Sequence, residues 1–404
     1  MRNSPEDGHV HSRAQTVQVR AALIALSFAY FVMGTGSLAV IGLLPMMASG
    51  LGVSNAAIAR LVAVFAVTFA LAAPFIQSRV QRVSPRLLLF GLAVFSLGAL
   101  ASGLAPNYGS AVGGRILIAA GAAAIGPLAS ALGAALVPEA ERGRALAVVA
   151  SGMAVATIVG VPATTWLGNE IGWRWAFGIL AGAGIAAALA VRRLVPSGAT
   201  VPALGRFSFR SVLGDRVAAR LILLTALQMA AQFATYSLAA AFLAERFGVS
   251  PDAMPMALLL FGIGGFAGTL VSGWLVDSLG GPRSLLIALL SLSAMFSCLL
   301  ILPTMGAAGV GGLALLAFAA LLFQAPQQKW LVQRVPHASG LALALNASAA
   351  YIGMAVGAAT GSAAYACYGP GALPILSLGY LVLALLILTG AARGSTSSAR
   401  VTER

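Results

Sequence analysis

Twelve runs of predominantly apolar residues, each long enough to cross a bilayer as a helix, follow one another along this chain. They lie near 21–47, 56–78, 87–105, 109–136, 145–168, 174–195, 219–244, 253–276, 284–303, 309–327, 340–366 and 372–391. A spanning helix needs ~20 apolar residues. In lipid, every backbone N–H and C=O must be satisfied within the protein, and a helix does this within each run. Twelve spans take ~240 residues, and a chain of 404 residues that is 60% hydrophobic supplies them. Only 8% of residues are charged, against roughly 25% in soluble domains. Soluble, disordered and disulfide-framework chains are excluded. The expected fold is an all-α membrane protein. The first run is too long for a signal-peptide core and reads as a retained span.

Most connections are short. The exception, 196–218, carries Pro196, Ser197, Gly198, Pro202, Gly205 and several arginines, and reads as a linker. The expected organisation is a tail (1–20), a six-helix bundle (21–195), the linker (196–218), a second six-helix bundle (219–391) and a tail (392–404). With both termini in the cytoplasm, the tails and the loops after even-numbered helices hold 20 of the 24 basic residues. Only Arg60, Arg115, Arg174 and Arg246 fall elsewhere. This positive-inside bias sets the orientation of a multi-pass inner-membrane protein. It also places the net charge of +14 beside anionic lipid headgroups rather than nucleic acid. Cys298 and Cys367 sit in apolar runs, without metal or disulfide spacing, and read as small buried hydrophobes. His9, His11 and His337 fall outside the spans.

The halves repeat at a constant offset. Pro85-Arg86-Leu87-Leu88-Leu89 corresponds to Pro282-Arg283-Ser284-Leu285-Leu286. The same offset pairs Gly143 with Gly340, Ala150-Ser151 with Ala347-Ser348, and Val159-Gly160 with Val356-Gly357. Two six-helix repeats with a site at their interface is a transporter architecture.

Several segments together are similar to the major facilitator superfamily, in particular to its bacterial drug- and sugar-efflux branch of the arabinose-efflux-permease type. They are Gly42-Leu43-Leu44-Pro45, Ala105-Pro106-Asn107-Tyr108, and Pro138 through Ala145. Gly160-Val161-Pro162 with Leu167-Gly168, Gly172 through Phe177, and Gly273 through Gly280 complete the set. The resemblance covers nearly the whole chain. It implies two pseudo-symmetric bundles that rock about a central site, a monomer, and a small-molecule substrate with no cofactor. It implies protons as a coupling ion in efflux relatives.

Gating residues are expected at helix 5 and at the loop between helices 8 and 9. Gly152, Gly160 and Gly168 recur every eight residues, near one helical face. Small residues permit close helix approach in lipid, and Pro162 frees a carbonyl and bends the helix. By resemblance, Asp277, between Gly273 and Gly280, latches near the start of helix 5, where Arg142 and Arg144 lie. Asp277 at a helix N-terminus would also be favoured by the macrodipole. In the first half Val80 or Gln81 stands where the matching acid would be, so a one-sided latch is expected.

The cavity expectation rests on helices 1, 4, 7 and 10, which surround the site in the superfamily. None of the ten acids falls in mid-span, and by the resemblance Ser37 stands where efflux relatives commonly carry a helix 1 acid. A cationic cargo would lack a counter-charge in low dielectric. Arg115 in helix 4 and Arg60 in helix 2 are intramembrane cations; snorkelling is their alternative. Gln228, Gln232 and Thr235 share a face of helix 7, bordered by Tyr236. Gln324, Asn346, Tyr30, Phe31, Met33 and Thr35 complete the candidates, with interhelical bonding as the alternative for the amides. The expected function is export of a small neutral or anionic compound by alternating access. An importer or facilitator without proton coupling is the alternative, favoured by Ser37. An enzyme or sensor is disfavoured, since no P-loop, His-Glu-x-x-His or Gly-x-Ser-x-Gly segment occurs.

Overall fold

A computed structural model describes residues 5–79, 82–198, 201–202 and 210–402. Arg2, Val80, Gln81, Gly205, Arg206 and Arg404, used above for the charge count, the latch and the linker, lie outside the described residues.

Twelve helices among the described residues are long and apolar enough to cross a membrane. They are α1 (Val17–Leu51), α2 (Asn55–Ile76), α3 (Pro85–Gly103), α4 (Tyr108–Ala135), α5 (Glu139–Ile171) and α6 (Trp173–Leu194). The second six are α7 (Arg216–Tyr236), α8 (Pro251–Leu279), α9 (Gly281–Ile301), α10 (Gly306–Arg334), α11 (Pro336–Tyr368) and α12 (Ala372–Gly390). The fold is the expected all-α membrane architecture. Helix α1 is continuous with residues from Pro5, and α12 with residues to Thr402, so the helices run on into both expected tails. Among the described residues, the strand content is one antiparallel pairing of Arg82–Val83 with Val201–Pro202.

Three helices are interrupted. The middle of α5, Ala156–Gly160, is a π-turn. Pro162 follows it and cannot donate the usual backbone bond, which is one of the recognised causes of such a break. After Tyr236, the chain bends at Ser237 and Leu238 before a short helix, Ala239–Phe247. Within α10 the helix breaks at Leu322 and Phe323, and Gln324 opens its second piece. Broken helices at membrane depth are tolerated where protein or a cavity satisfies the backbone.

The chain forms two compact units. One comprises Met1–Ser37, Ala72–Gly160 and Arg174–Gly205; the other comprises Leu38–Leu71, Val161–Trp173 and Arg206–Arg404. Their boundaries cut α1 at Ser37, α2 at Leu71 and α5 at Gly160, instead of following the linker.

Glycine sets the helix packing. A Cβ on Gly152 would fall closer than 3.0 Å to Ser27, one on Gly160 to Thr35, and one on Gly168 to Leu43. The partners on α1 are themselves eight residues apart, so α1 and α5 keep one register. Helix α1 contributes the reciprocal glycines: Gly34 abuts Met153 and Ala156, Gly42 abuts Thr165, and Gly50 abuts Trp173. The second half repeats the device between α7 and α11. There Gly353, Gly357 and Gly361 approach the carbonyls of Ala226, Ala230 and Ala234. Lipid tails are as apolar as leucine, so this van der Waals fit holds the pair together in place of a hydrophobic driving force. Gly357→Ala is expected to destabilise the folded protein by ~1–3 kcal/mol, the usual cost of overpacking. Gly113→Ala, where a Cβ meets nothing, is expected to be silent. Thermal unfolding of the detergent-solubilised variants, read by size-exclusion recovery, checks both.

Candidate substrate and gating site

The first unit places Arg115 in the protein interior. It is 1% exposed, and its guanidinium donates to the carbonyls of Gly36, at 2.6 Å, and of Ser37. Snorkelling is therefore overturned for Arg115. Arg60, in contrast, is exposed. The cation of α4 thus grips the α1 backbone at Gly36 and Ser37. Thr35, two residues earlier, is buried, and its hydroxyl has no protein hydrogen-bond partner. It lies against Gly160 at the π-turn. Tyr30 is half-buried, and Pro162 is buried.

The second unit gathers the neutral polar groups. Gln228, Gln232, Thr235 and Tyr236 of α7 are all buried. The Gln228 amide nitrogen donates to Gln232 Oε1 at 3.3 Å and to the Ala320 carbonyl at 3.4 Å. That carbonyl can only accept, so it fixes the amide orientation, and Gln228 Oε1 is left without a partner. Tyr236 stacks on Phe261 with ring centres 4.1 Å apart. Thr235 bonds Ser377 of α12 at 3.0 Å. Gln324 is half-buried at the α10 break. A buried polar atom without a partner costs free energy comparable to a lost hydrogen bond, and among the described residues Thr35 Oγ1, Gln228 Oε1 and Ser237 Oγ, at the bend after α7, are such atoms.

Asn346 has a different place. Its Oδ1 accepts from Thr225 at 2.7 Å and from Gln327 Nε2 at 2.8 Å, while Gln327 also donates to the Leu221 carbonyl at 3.0 Å. This ties α7, α10 and α11, which is the interhelical alternative for an intramembrane amide. Gln327 was missed because it sits where the apolar run ends. Its three-residue spacing from Gln324, on a neighbouring position of one face, was the available signal.

Near the α8–α9 junction, Asp277 bonds Lys329 of α10 at 2.6 Å. Lys329 is the sole lysine of the chain. Arg142 lies 3.7 Å from Glu139, and both Arg142 and Arg144 are exposed. Gly280 has φ of 77°, a left-handed turn between α8 and α9 that favours glycine. Around Gly273 a Cβ would meet nothing. Cys367 is exposed, a correction to its expected burial, and Cys298 is intermediate.

Asp215 caps α7. Its Oδ1 accepts from the N–H groups of Val217 and Ala218 at 2.9 Å each, and its Oδ2 from Arg334 Nε at 2.8 Å. Burial pushes this carboxyl up. The Ala218 and Val217 donors and the Arg334 guanidinium outweigh that effect and hold it below the ordinary value. A depressed carboxyl stabilises the fold fully above the unfolded value near pH 4, and the contribution is lost as pH falls through the lowered folded value. Asp215→Ala is expected to cost ~1 kcal/mol at neutral pH as a lost cap. The gap from wild type should close as pH drops below ~4. Thermal midpoints across a pH series check the sign.

The model of the Major Facilitator Superfamily matches residues 26–358 and 221–402. The inner membrane transport protein YdhP of Escherichia coli K12 is 30% identical over 382 residues, covering 93% of this chain and 97% of that protein. A chloramphenicol resistance protein of Streptomyces lividans is 37% identical over 262 residues, or 63% of this chain and 66% of its own length. A bacterial homologue of the human lysosomal transporter Spinster shares the fold with TM-score 0.73 and 18% identity, over 97% of this chain and 98% of its own. A peptide transporter aligns with TM-score 0.76 and 15% identity, over 92% and 94% of the two chains. Twelve helices long and apolar enough to cross a membrane, together with these matches, make the chain a multi-pass membrane transporter. The chain belongs to the Major Facilitator Superfamily.

Proposed function

We propose that this transporter exports small neutral or anionic compounds across the inner membrane, with both termini cytoplasmic. In this reading the six-helix halves, 21–195 and 219–391, rock in alternating access. The observation that carries it is the charge of the interior. Among the described residues Arg115 is the one charged side chain that is buried, and the other buried polar groups are Ser, Thr, Gln and Asn. A cationic cargo in low dielectric needs a counter-charge, and no buried Asp or Glu occurs among the described residues. The unpartnered Gln228 Oε1 suits a donor on an uncharged substrate. The Streptomyces relative supports export, and chloramphenicol, an uncharged amide, is the first compound to try.

Arg115, Gln228, Gln232, Tyr236, Gln324, Tyr30 and Thr35 are the proposed cavity residues; Asn346 supports them through Gln327. Asp277, Arg142, Arg144, Gly273 and Gly280 are the proposed cytoplasmic gating residues, and Gly160 and Pro162 supply the bend of α5. Expression in an efflux-deficient bacterium should raise the inhibitory concentration of uncharged or anionic antibiotics several-fold, and Arg115→Ala should abolish that. Arg115→Lys, which keeps the charge but not the two-pronged donor, separates charge from geometry. Protection confined to lipophilic cations would overturn the reading.

Ser37 favours a second reading, a facilitator or importer without proton coupling. Collapsing the pH gradient with an ionophore discriminates. Antiport loses accumulation-driven efflux, and a facilitator keeps equilibrating flux. Asp277→Asn is expected to reduce transport strongly. Lys329→Gln removes only an exposed pair, of the kind that contributes little to stability, and should leave thermal stability near wild type.

A further inference from the structure

Helices α2 and α11 run antiparallel within the second unit and touch at two levels. At the first residue of α2, the Asn55 amide donates to Glu245 Oε1 at 3.3 Å and lies 3.4 Å from the Tyr365 hydroxyl. Tyr365, near the end of α11, donates to the same Glu245 oxygen. Deeper, Phe69 of α2 stacks on Tyr351 of α11 with ring centres 3.8 Å apart. Fourteen residues separate Asn55 from Phe69, and fourteen separate Tyr351 from Tyr365. One register therefore satisfies both contacts, over ~21 Å of helix at 1.5 Å per residue.

The polar level joins parts of the chain that are far apart. Asn55 comes from the first six helices, Tyr365 from the last six, and Glu245 from the short helix Ala239–Phe247 that follows α7. Asn169, at the end of α5, donates to the Pro251 carbonyl at the start of α8 at 2.8 Å. All four residues lie beside loops that follow odd-numbered helices, which is the end opposite the termini. Glu245 is exposed, and Asn55 and Tyr365 are half-buried. Each of their hydrogen bonds is therefore exchangeable for one to water, so the net free-energy change on breaking them is small. The α7–α11 contacts, by contrast, press glycines onto backbone carbonyls and offer no such exchange.

We propose that Asn55, Glu245 and Tyr365 form a carboxylate-centred clasp that holds the α2–α11 seam shut at the end opposite the termini, and that it opens in each transport cycle. Glu245 is the positioning residue. One carboxylate oxygen takes a phenol from α11 and an amide from α2, so its removal frees both helices at once. The Phe69–Tyr351 stack keeps the register for reclosure. The proposal rests on the transport reading above, and its test reads conformation without any substrate.

The test uses full-length protein with Cys298→Ser and Cys367→Ser, and a reporter cysteine introduced as Gln324→Cys. Right-side-out membrane vesicles are treated with a membrane-impermeant maleimide. Glu245→Ala and Tyr365→Phe should each raise the labelling rate several-fold, and the double variant should add little, because both act on one clasp. Glu170→Gln, an exposed acid at the end of α5, should leave the rate unchanged. Recovery by size exclusion verifies that each variant is folded. Unchanged labelling in both folded variants, or fully additive increases, would overturn the clasp. Raised labelling in these variants, with wild-type protein that protects against no compound, would leave the clasp standing and remove the export reading, so the two failures are distinguishable.

Discussion

Close backbone approach at glycine is the constraint on which the rest of this structure depends. In a bilayer no hydrophobic force presses one apolar helix on another, so shape fit must do it. Gly152, Gly160 and Gly168 bring α5 onto α1, and Gly353, Gly357 and Gly361 bring α11 onto α7. The two helix pairs correspond under the internal repeat, and of these glycines Gly160 corresponds to Gly357. The same contact that packs the helices leaves Thr35 facing the π-turn of α5. Packing and candidate site are thus one arrangement of residues.

Against this apolar frame, the buried polar groups stand out by their small number and by their partners. Arg115 grips the backbone of α1 at Gly36 and Ser37. Gln327 and Asn346 bind α7, α10 and α11 together. Gln228 keeps an oxygen without a partner. The first two arrangements are satisfied within the protein and hold helices in place. The third is not satisfied by the protein, and that difference sets Gln228 apart from the groups that only tie helices together.

The spans, the repeat and the α5 glycines were legible in the sequence because each leaves a period or a constant offset. The reciprocal glycines of α1, Gly34, Gly42 and Gly50, have the same eight-residue period and could have been read in the same way. The partners of charged groups were not legible. Asp277 finds Lys329, fifty-two residues away along the chain, and Glu245 finds Asn55 and Tyr365 from distant helices. Such pairs depend on which helix faces meet, and lipid-facing and buried faces look alike in a chain that is apolar all round. Asn346 reads as a cavity amide for the same reason; only the position of Gln327 shows it to be a helix tie.

Charge selectivity is the most exposed point of the proposed function, and purified protein in liposomes addresses it directly. Counterflow of a radiolabelled uncharged antibiotic would be compared with that of a cationic compound of similar size, using the same preparation. The expected result is exchange of the uncharged compound, with the cation indistinguishable from protein-free liposomes. Exchange of the cation alone would contradict the account, in which the one buried charge among the described residues is an arginine.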